Sequence, residues 1–260
     1  MSAIIIDGAM AHYEALGRGR PVVFLHGWVG SWRYWINPMQ VASTSFRAYA
    51  LDLFGFGDTA REVSKYSLES QAGLVNSFLE EMGIGKVALV GHGLGALVAF
   101  TFLKQYPKNV DRVMAINFPM NYEAVNARLR VPNMQDLTDL MSSRSPEAAA
   151  ALSDAPKSDP QAVSASLAGL QANDVFASIR SLLTPCLFVY GESDPLIAPP
   201  QQDRSLPMHM HQINLESIGH FPMLDNPNQF NRLLTDFLTL PSGASPTELQ
   251  MKEEWKRRVR

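Results

Sequence analysis

Residues 86–95 read KVALVGHGLG, and residues 96–106 continue as ALVAFTFLKQY. The first five residues are largely apolar, which is typical of a strand buried on both faces of a parallel sheet. Residues 94–106 are small and apolar and stop before Pro107, which predicts a helix. Glycines at 91, 93 and 95 join the two. The stretch therefore predicts a buried strand, a tight turn and a helix.

Other parts of the chain repeat this alternation. Residues 68–82 place Leu74, Phe78 and Met82 four apart, which predicts a helix. Strands that alternate with helices favour a parallel sheet. The sequence therefore predicts an α/β fold with a mostly parallel, twisted sheet and helices on both faces. Further strands are predicted at residues 3–6, 11–16, 21–25, 48–53, 110–116 and 186–190.

One region interrupts the alternation, because residues 119–174 contain no strong strand pattern. We predict that they form a helical cap inserted into a core made of residues 1–118 and 175–244. Residues 245–260 form a predicted helical tail. Its apolar stripe either packs on its own domain or makes a dimer contact, and it consists of Met251, Trp255 and Val259.

Within the predicted cap, residues 134–141 have a helical pattern. A second helix is predicted at 147–152, where Ser145 supplies a cap and Pro146 the first turn. Residues 153–160 look like a loop, after which helix and strand alternate again from residue 175.

The composition is that of an ordinary globular protein. Apolar residues make up 46% of the 260 residues, charged residues 18%, and the net charge is −3. This favours neither nucleic acid nor an anionic membrane as a partner. The single cysteine, Cys186, lies in an apolar run and is predicted to be an inert buried thiol. Without a signal peptide or membrane-span pattern, the chain is expected to be cytoplasmic, a monomer or homodimer, and to bind a small molecule.

Polar and glycine-rich segments follow three of the predicted strands, and a fourth such segment lies late in the chain. Catalytic groups on an open α/β sheet lie at the carboxyl ends of its strands. We therefore expect these segments to meet at one edge of the sheet. They are His26-Gly27-Trp28, the glycine turn at 91–95, Gly191-Glu192-Ser193-Asp194-Pro195, and Ser217-Ile218-Gly219-His220-Phe221-Pro222.

In the order and spacing of these segments, and in LDLFGFG at residues 51–57, the sequence resembles the α/β-hydrolase superfamily from about residue 4 to residue 240. It is most similar to small-capped members related to cofactor-free haloperoxidases, C–C hydrolases and esterases. HGW followed by Trp32 and Trp35 also resembles epoxide hydrolases, which carry aspartate at the turn.

The resemblance implies a nucleophile at the centre of the turn, in the motif G-x-S-x-G. Here the centre is Gly93. Glycine accepts the strained backbone of such a turn but supplies no side chain. Covalent catalysis is therefore expected to be absent. His92 occupies the variable position and is expected to point away from the centre.

The resemblance further implies that Asp194 is the acid and His220 the base of the family's triad. Asp194 would hold one imidazole nitrogen, and His220 would present the other to the substrate. Glu192 is a rival for the acid, and Asp225 is expected to be an exposed turn or cap residue.

The oxyanion site is expected at the backbone N–H groups of Trp28 and Leu94. Gly27 and His92 complete the predicted oxyanion and substrate-binding set, and His26 is expected to brace the loop. Trp28, Trp32 and Trp35 either line the pocket or fill the first helix and its approach. Four further residues either form an apolar ceiling over the pocket or simply pack the cap against the core, namely Met120, Met134, Leu137 and Met141.

No motif predicts a cofactor or a metal. There is no phosphate-binding loop, and the glycines at 91–95 lack dinucleotide spacing. His209 and His211 without a third ligand are weak metal ligands.

Three hypotheses for function remain. The first is a hydrolase of small, largely apolar ester-like substrates by lineage, from which the nucleophile is missing. The second is an enzyme in which His220, oriented by Asp194, acts as a general base on water or substrate, without a covalent intermediate. The third is a non-catalytic binder of a small molecule.

Overall fold

A computed structural model describes residues 2–131, 133, 137, 139, 152–172, 174–200, 206–241 and 244–249. Eight strands form one sheet in the order β1-β2-β4-β3-β5-β6-β7-β8. The pairs β1–β2 and β2–β4 are antiparallel, and every other pair is parallel. The strands are β1 Ser2–Ile6, β2 Ala9–Gly17, β3 Arg20–Leu25, β4 Phe46–Leu51, β5 Val87–His92, β6 Val110–Ile116, β7 Cys186–Gly191 and β8 Met210–Leu215.

Helices pack against this sheet in two layers, with α1 beside α8 and α2 beside α3. The described helices are α1 Ile36–Ala42, α2 Leu68–Glu81, α3 Leu94–Gln105, α4 Ala127–Arg130, α5 Pro160–Ala172, α6 Val175–Ile179, α7 Pro222–Asp225 and α8 Pro227–Thr239. The predicted α/β architecture is therefore confirmed.

Local sequence explains where the central helices begin and end. The Ser67 hydroxyl accepts the N–H of Ser70 and caps α2. The predicted stripe on α2 faces the core, since Leu74 and Phe78 are buried. Nearly all of α3 is buried, as expected of a helix that is apolar on every side.

The structure departs from the sequence predictions at two elements. Strand β8 was not predicted, because His211, Gln212 and Asn214 interrupt its apolar pattern. The prediction of a loop at residues 153–160 is wrong, because Leu152–Lys157 forms a 3₁₀ helix and α5 begins at Pro160. The local sequence favours a loop here, but the contacts of Asp154 with Ser31 and Arg33 stabilise the 3₁₀ helix.

Several predicted elements lie wholly or mainly outside the described residues. These are the helices at 134–141 and 147–152, and the tail beyond residue 249, which includes Met251, Trp255 and Val259. Within the tail, the described part forms a 3₁₀ helix, Pro246–Glu248.

The parallel register places the carboxyl ends of β3, β5, β6, β7 and β8 along one edge of the sheet. The loops that follow these strands therefore lie side by side. Among the described helices, none has the length and apolar character needed to cross a bilayer.

Candidate active site

Gly93 forms the turn between β5 and α3, with φ +51° and ψ −110°. Residues with a Cβ rarely adopt this positive φ. Side chains at the neighbouring glycines would also collide with backbone, at Gly91 with the carbonyl of Gly95 and at Gly95 with that of Leu25. The three glycines thus allow β5, the turn and α3 to approach β3 closely.

Asp194 and His220 come together at this edge. His220 Nδ1 lies 2.8 Å from Asp194 Oδ2. The other carboxylate oxygen accepts the backbone N–H groups of Leu196 at 2.8 Å and Ile197 at 3.2 Å. Because a carboxylate only accepts, Nδ1 carries the proton and Nε2 presents its lone pair. Within the described residues, no hydrogen bond engages Nε2.

The predicted base and acid are both shielded from solvent. The side chains of His220 and Asp194 are 2% and 0% exposed. A hydrogen bond between such groups is stronger than it would be in water. The rival Glu192 is exposed, and the exposed Asp225 accepts the N–H of Gly219 at 2.8 Å.

His92 points beneath the turn, not toward its centre. Its Nε2 donates to the carbonyl of His220 at 2.8 Å, and its Nδ1 accepts from the Tyr34 hydroxyl at 3.1 Å. Burial holds the pKa of His92 well below its usual range, so the ring is neutral. Neither ring nitrogen remains for a substrate, so His92 contributes by supporting His220.

The loop after β3 is fixed by hydrogen bonds. His26 Nε2 accepts the N–H of Leu53 at 2.9 Å, and Nδ1 donates to the carbonyl of Gly27 at 2.8 Å. The N–H of Gly27 donates to the Tyr34 oxygen. A Cβ on Gly27 would lie 2.8 Å from His92 Nδ1. His26 therefore braces the loop, and Gly27 permits its close approach to β5.

Trp28 lies across Gly93. A Cβ on Gly93 would stand 3.0 Å from Cε3 and from Cζ3 of the indole. The indole N–H donates to the Ser166 hydroxyl at 2.8 Å, and that hydroxyl donates to the carbonyl of Val163 at 2.7 Å. Helix α5 thus fixes the ring over the turn.

Among the described residues, two backbone donors of the site have no protein acceptor. Leu94 is the first residue of α3, so its N–H has no intrahelical partner. For the N–H of Trp28, too, the described part of the chain offers no acceptor. These are the two groups predicted to form an oxyanion site.

Other predicted lining residues have different positions. Trp35 is fully buried against Phe24 and fills the core, whereas Trp32 is half-buried beside His12. Met120 is partly buried and Leu137 is fully buried. Met134 and Met141 lie outside the described residues.

A buried carboxylate ties the 3₁₀ helix at 152–157 to the loop after β3. Asp154 accepts hydrogen bonds from Ser31 Oγ at 2.8 Å, from Arg33 Nε at 2.7 Å and from Lys157 Nζ at 3.1 Å. Burial alone raises the pKa of this carboxyl, but the three donors outweigh it and hold the pKa below its ordinary value.

Four residues that support the site were not singled out from the sequence: Tyr34, Asn117, Asp154 and Ser166. Only Asn117 carried a usable signal, because it directly follows the predicted strand at 110–116, just as His26 follows the predicted strand at 21–25. The remaining three act through partners that are distant in the sequence.

Among the described residues, His12, Asp52 and Asp58 form the one trio that could ligate a metal. Asp52 Oδ2 lies 2.8 Å from His12 Nδ1 and also accepts the N–H of Asp58 at 3.1 Å. Asp58 pairs with Lys157 at 2.7 Å. These bonds brace the loop after β4, and we assign no metal to them. His209 and His211 do not join such a group among the described residues.

A cavity of about 740 Å³ lies at the opposite edge of the sheet, where it is lined by Lys86, Val110 and Pro185, next to the amino ends of β5, β6 and β7. It is therefore not part of the site around Gly93.

A family profile described as "alpha/beta hydrolase fold" matches residues 20–151, about half of the chain. A soluble epoxide hydrolase from Corynebacterium sp. (strain C12) is 33% identical over 113 residues, which cover 44% of this chain and 40% of that protein. The match thus spans less than half of that curated relative.

Solved structures share the fold over nearly the whole chain. An esterase from Thermogutta terrifontis has a TM-score of 0.76 at 21% identity, covering 92% of this chain and 98% of the other. A serine-to-glycine variant of the N-acyl homoserine lactonase AidH, in complex with N-hexanoyl homoserine lactone, has a TM-score of 0.79 at 18% identity, covering 91% and 96%.

Proposed function

Since this chain belongs to the α/β-hydrolase family, we propose that it acts on a small, largely apolar ester-like molecule without forming a covalent intermediate. In this proposal Gly93 stands at the position of the family's nucleophile. The support is its place at the turn between β5 and α3, within the spacing G-x-G-x-G. Its lack of a side chain removes the group that would form an acyl-enzyme.

His220 is the general base in this reaction. Its Nε2 takes a proton from a water molecule while the water oxygen bonds to the ester carbonyl carbon. The carbonyl electron pair moves onto oxygen, where the N–H groups of Trp28 and Leu94 stabilise the charge. Collapse of this species breaks the bond to the alkoxide, and His220 returns the proton to it.

One observation carries the proposal, namely the 2.8 Å contact between His220 Nδ1 and Asp194 Oδ2 in a buried environment. Asp194 fixes the tautomer of the ring and stabilises the imidazolium that forms during proton transfer. The two backbone bonds to Asp194 Oδ1 hold the carboxylate in place. A ring oriented in this way is suited to accept a proton at Nε2.

The modest rate enhancement from general-base catalysis limits which substrates the chain could hydrolyse. Such help contributes about a hundred- to ten-thousand-fold, which is modest. The substrate must therefore be activated, as aryl esters, lactones and epoxides are. The proteins named above include an epoxide hydrolase, an esterase and a lactonase, and these classes define the panel for testing.

We further propose that residues 119–174 form a cap over this site. The support is the hydrogen bond from Trp28 to Ser166 on α5, together with the close approach of α5 to α2, where a Cβ on Gly169 would lie 3.2 Å from Leu68 Cδ1. In this arrangement the cap and the loop after β3 together shape the pocket and favour a neutral, largely apolar ligand.

The test is hydrolysis of aryl esters, acyl homoserine lactones and aryl epoxides by the full chain. The variant His220→Gln is expected to lower the rate on the best substrate by about a hundred- to ten-thousand-fold. His211→Gln, on β8 near the opposite edge of the sheet, is the matched control and is expected to retain activity. Equal activity of wild type and His220→Gln would rule the proposal out.

The position of Trp28 favours one second candidate. Its indole covers Gly93, and both residues are buried, so the ring leaves little room for a reacting group beside Gly93, as expected of a non-catalytic binder. A binder would show saturable binding of a panel compound without turnover, in wild type and His220→Gln alike. Turnover that depends on His220 would exclude it.

A further inference from the structure

Asn117 is the first residue after β6 and lies among the loops that carry Asp194 and His220. Its side chain is fully buried, and its backbone has φ +41°, in the left-handed region. Asparagine tolerates this conformation better than most residues do. This left-handed backbone conformation lies at the same edge of the sheet as the candidate site.

The side-chain amide of Asn117 connects two loops. Its Nδ2 donates to the carbonyl of Gly219 and to that of His220, each at 2.9 Å. Its Oδ1 accepts the N–H of Gly191 at 2.8 Å. Gly191 precedes Asp194 by three residues, so one amide holds the loop of the acid and the loop of the base.

The two loops are in direct contact at this point. A Cβ on Gly191 would collide with the carbonyl oxygens of Ile218 and Gly219. The carbonyl of His220 also accepts a second hydrogen bond, from His92 Nε2 at 2.8 Å. The main chain of His220 is therefore held from two sides, while Asp194 holds its ring.

We infer that Asn117 is a positioning residue, whose amide fixes the separation of Asp194 and His220 by bonding to both loops. The expected effect on rate rests on the proposed function. The positioning of the two loops rests only on the hydrogen bonds of the Asn117 amide. A displacement of about 1 Å between reacting groups costs on the order of a hundredfold in rate.

Two substitutions separate the parts played by the amide. Asn117→Asp keeps the acceptor for Gly191 but removes both donors. Asn117→Gly removes the whole side chain and suits the positive φ, so that backbone strain does not confuse the result. The matched control is Asn109→Asp, which removes a donor to the Gly85 carbonyl, bonded at 2.8 Å, at the opposite edge of the sheet.

The first measurement needs no substrate. In the wild type, nuclear magnetic resonance with labelled histidine should show a slowly exchanging proton on His220 Nδ1, bonded to Asp194. We expect this proton to exchange rapidly in both Asn117 variants and to persist in Asn109→Asp. Persistence in the folded Asn117 variants would overturn the inference. If the variants do not fold, rapid exchange of the Asn117 side-chain protons in the wild type would overturn it.

The second measurement uses the best substrate of the panel. We expect the Asn117 variants to lower kcat by on the order of a hundredfold with little change in KM. A rise in KM at unchanged kcat would contradict a positioning role. Failure of the wild type to turn over any substrate would count against the proposed function, whereas the resonance measurement would still decide the inference.

Discussion

The indole of Trp28 stands 3.0 Å from the point that a Cβ on Gly93 would occupy. Carbon atoms in contact prefer separations of about 3.5–4.0 Å. A side chain at residue 93 therefore requires the indole to shift by a few tenths of an ångström. Because Ser166 holds the indole N–H, that shift strains the contact between α5 and the loop after β3.

Gly93→Ala is expected to destabilise the chain, by about 1–3 kcal/mol from the backbone alone, since φ is +51°. Urea denaturation measures the change. The control is Gly73→Ala in α2, where a Cβ would meet nothing within 4 Å and a gain of about 0.5–1 kcal/mol is expected. Equal effects of the two alanines would show that the turn imposes no special demand.

Ser166→Ala is expected to destabilise the chain by about 1–3 kcal/mol, because it leaves the buried indole N–H of Trp28 without an acceptor. Ser164 lies exposed on the same helix, and its hydroxyl donates to the carbonyl of Pro160 at 3.1 Å. Ser164→Ala should therefore change the free energy of unfolding by less than about 0.5 kcal/mol. Thermal or urea unfolding of Ser166→Ala and Ser164→Ala measures the difference. Equal stabilities of the two variants would mean that Ser166 does not hold the indole of Trp28.

Asp154 is expected to make stability depend on pH in the acid range. Its folded pKa lies below the ordinary value of 3.8. Its contribution is therefore fully present above that value and is lost as pH falls through the lower folded pKa. The free energies of unfolding of wild type and Asp154→Asn should differ most near neutral pH and converge as pH falls through the folded pKa of Asp154. A difference that is constant over this range would contradict the assignment.

Cys186 is expected to be unreactive in the native chain. Burial raises the pKa of its thiol to about 12, and the thiolate is the reactive form. A thiol reagent at about pH 8 should label Cys186 only after denaturant is added. Rapid labelling of the native chain at one thiol per molecule would show that the strand is accessible.

Much of the fold could be predicted because its signals are local. The apolar run at 86–90, the glycines and the following helix lie within one stretch, and β5 and α3 match it within two residues. Strand β8 was missed because it is an outermost strand of the sheet. Its half-buried polar residues interrupt the continuous apolar run that marks a central strand.

The site was only partly predictable, because several of its contacts join residues that are far apart in the sequence. Asp194 and His220 follow strands or lie in recognisable loops. Trp28 and Ser166 are separated by 138 residues, and Asp154 meets Arg33 across 121 residues. No periodicity encodes such pairs, because they arise only once α5 and the 3₁₀ helix have packed against the loop after β3.

In the proposed function, water activated by His220 attacks the substrate, because Gly93 has no side chain that could form an acyl-enzyme. The most direct test is the first-turnover time course of aryl ester hydrolysis by the wild-type chain, with intact-protein mass recorded during the reaction. We expect product to rise linearly from time zero with the mass unchanged, whereas Gly93→Ser should show a burst and an acyl adduct. A burst equal to the protein concentration in the wild type, with an added acyl mass, would contradict the account.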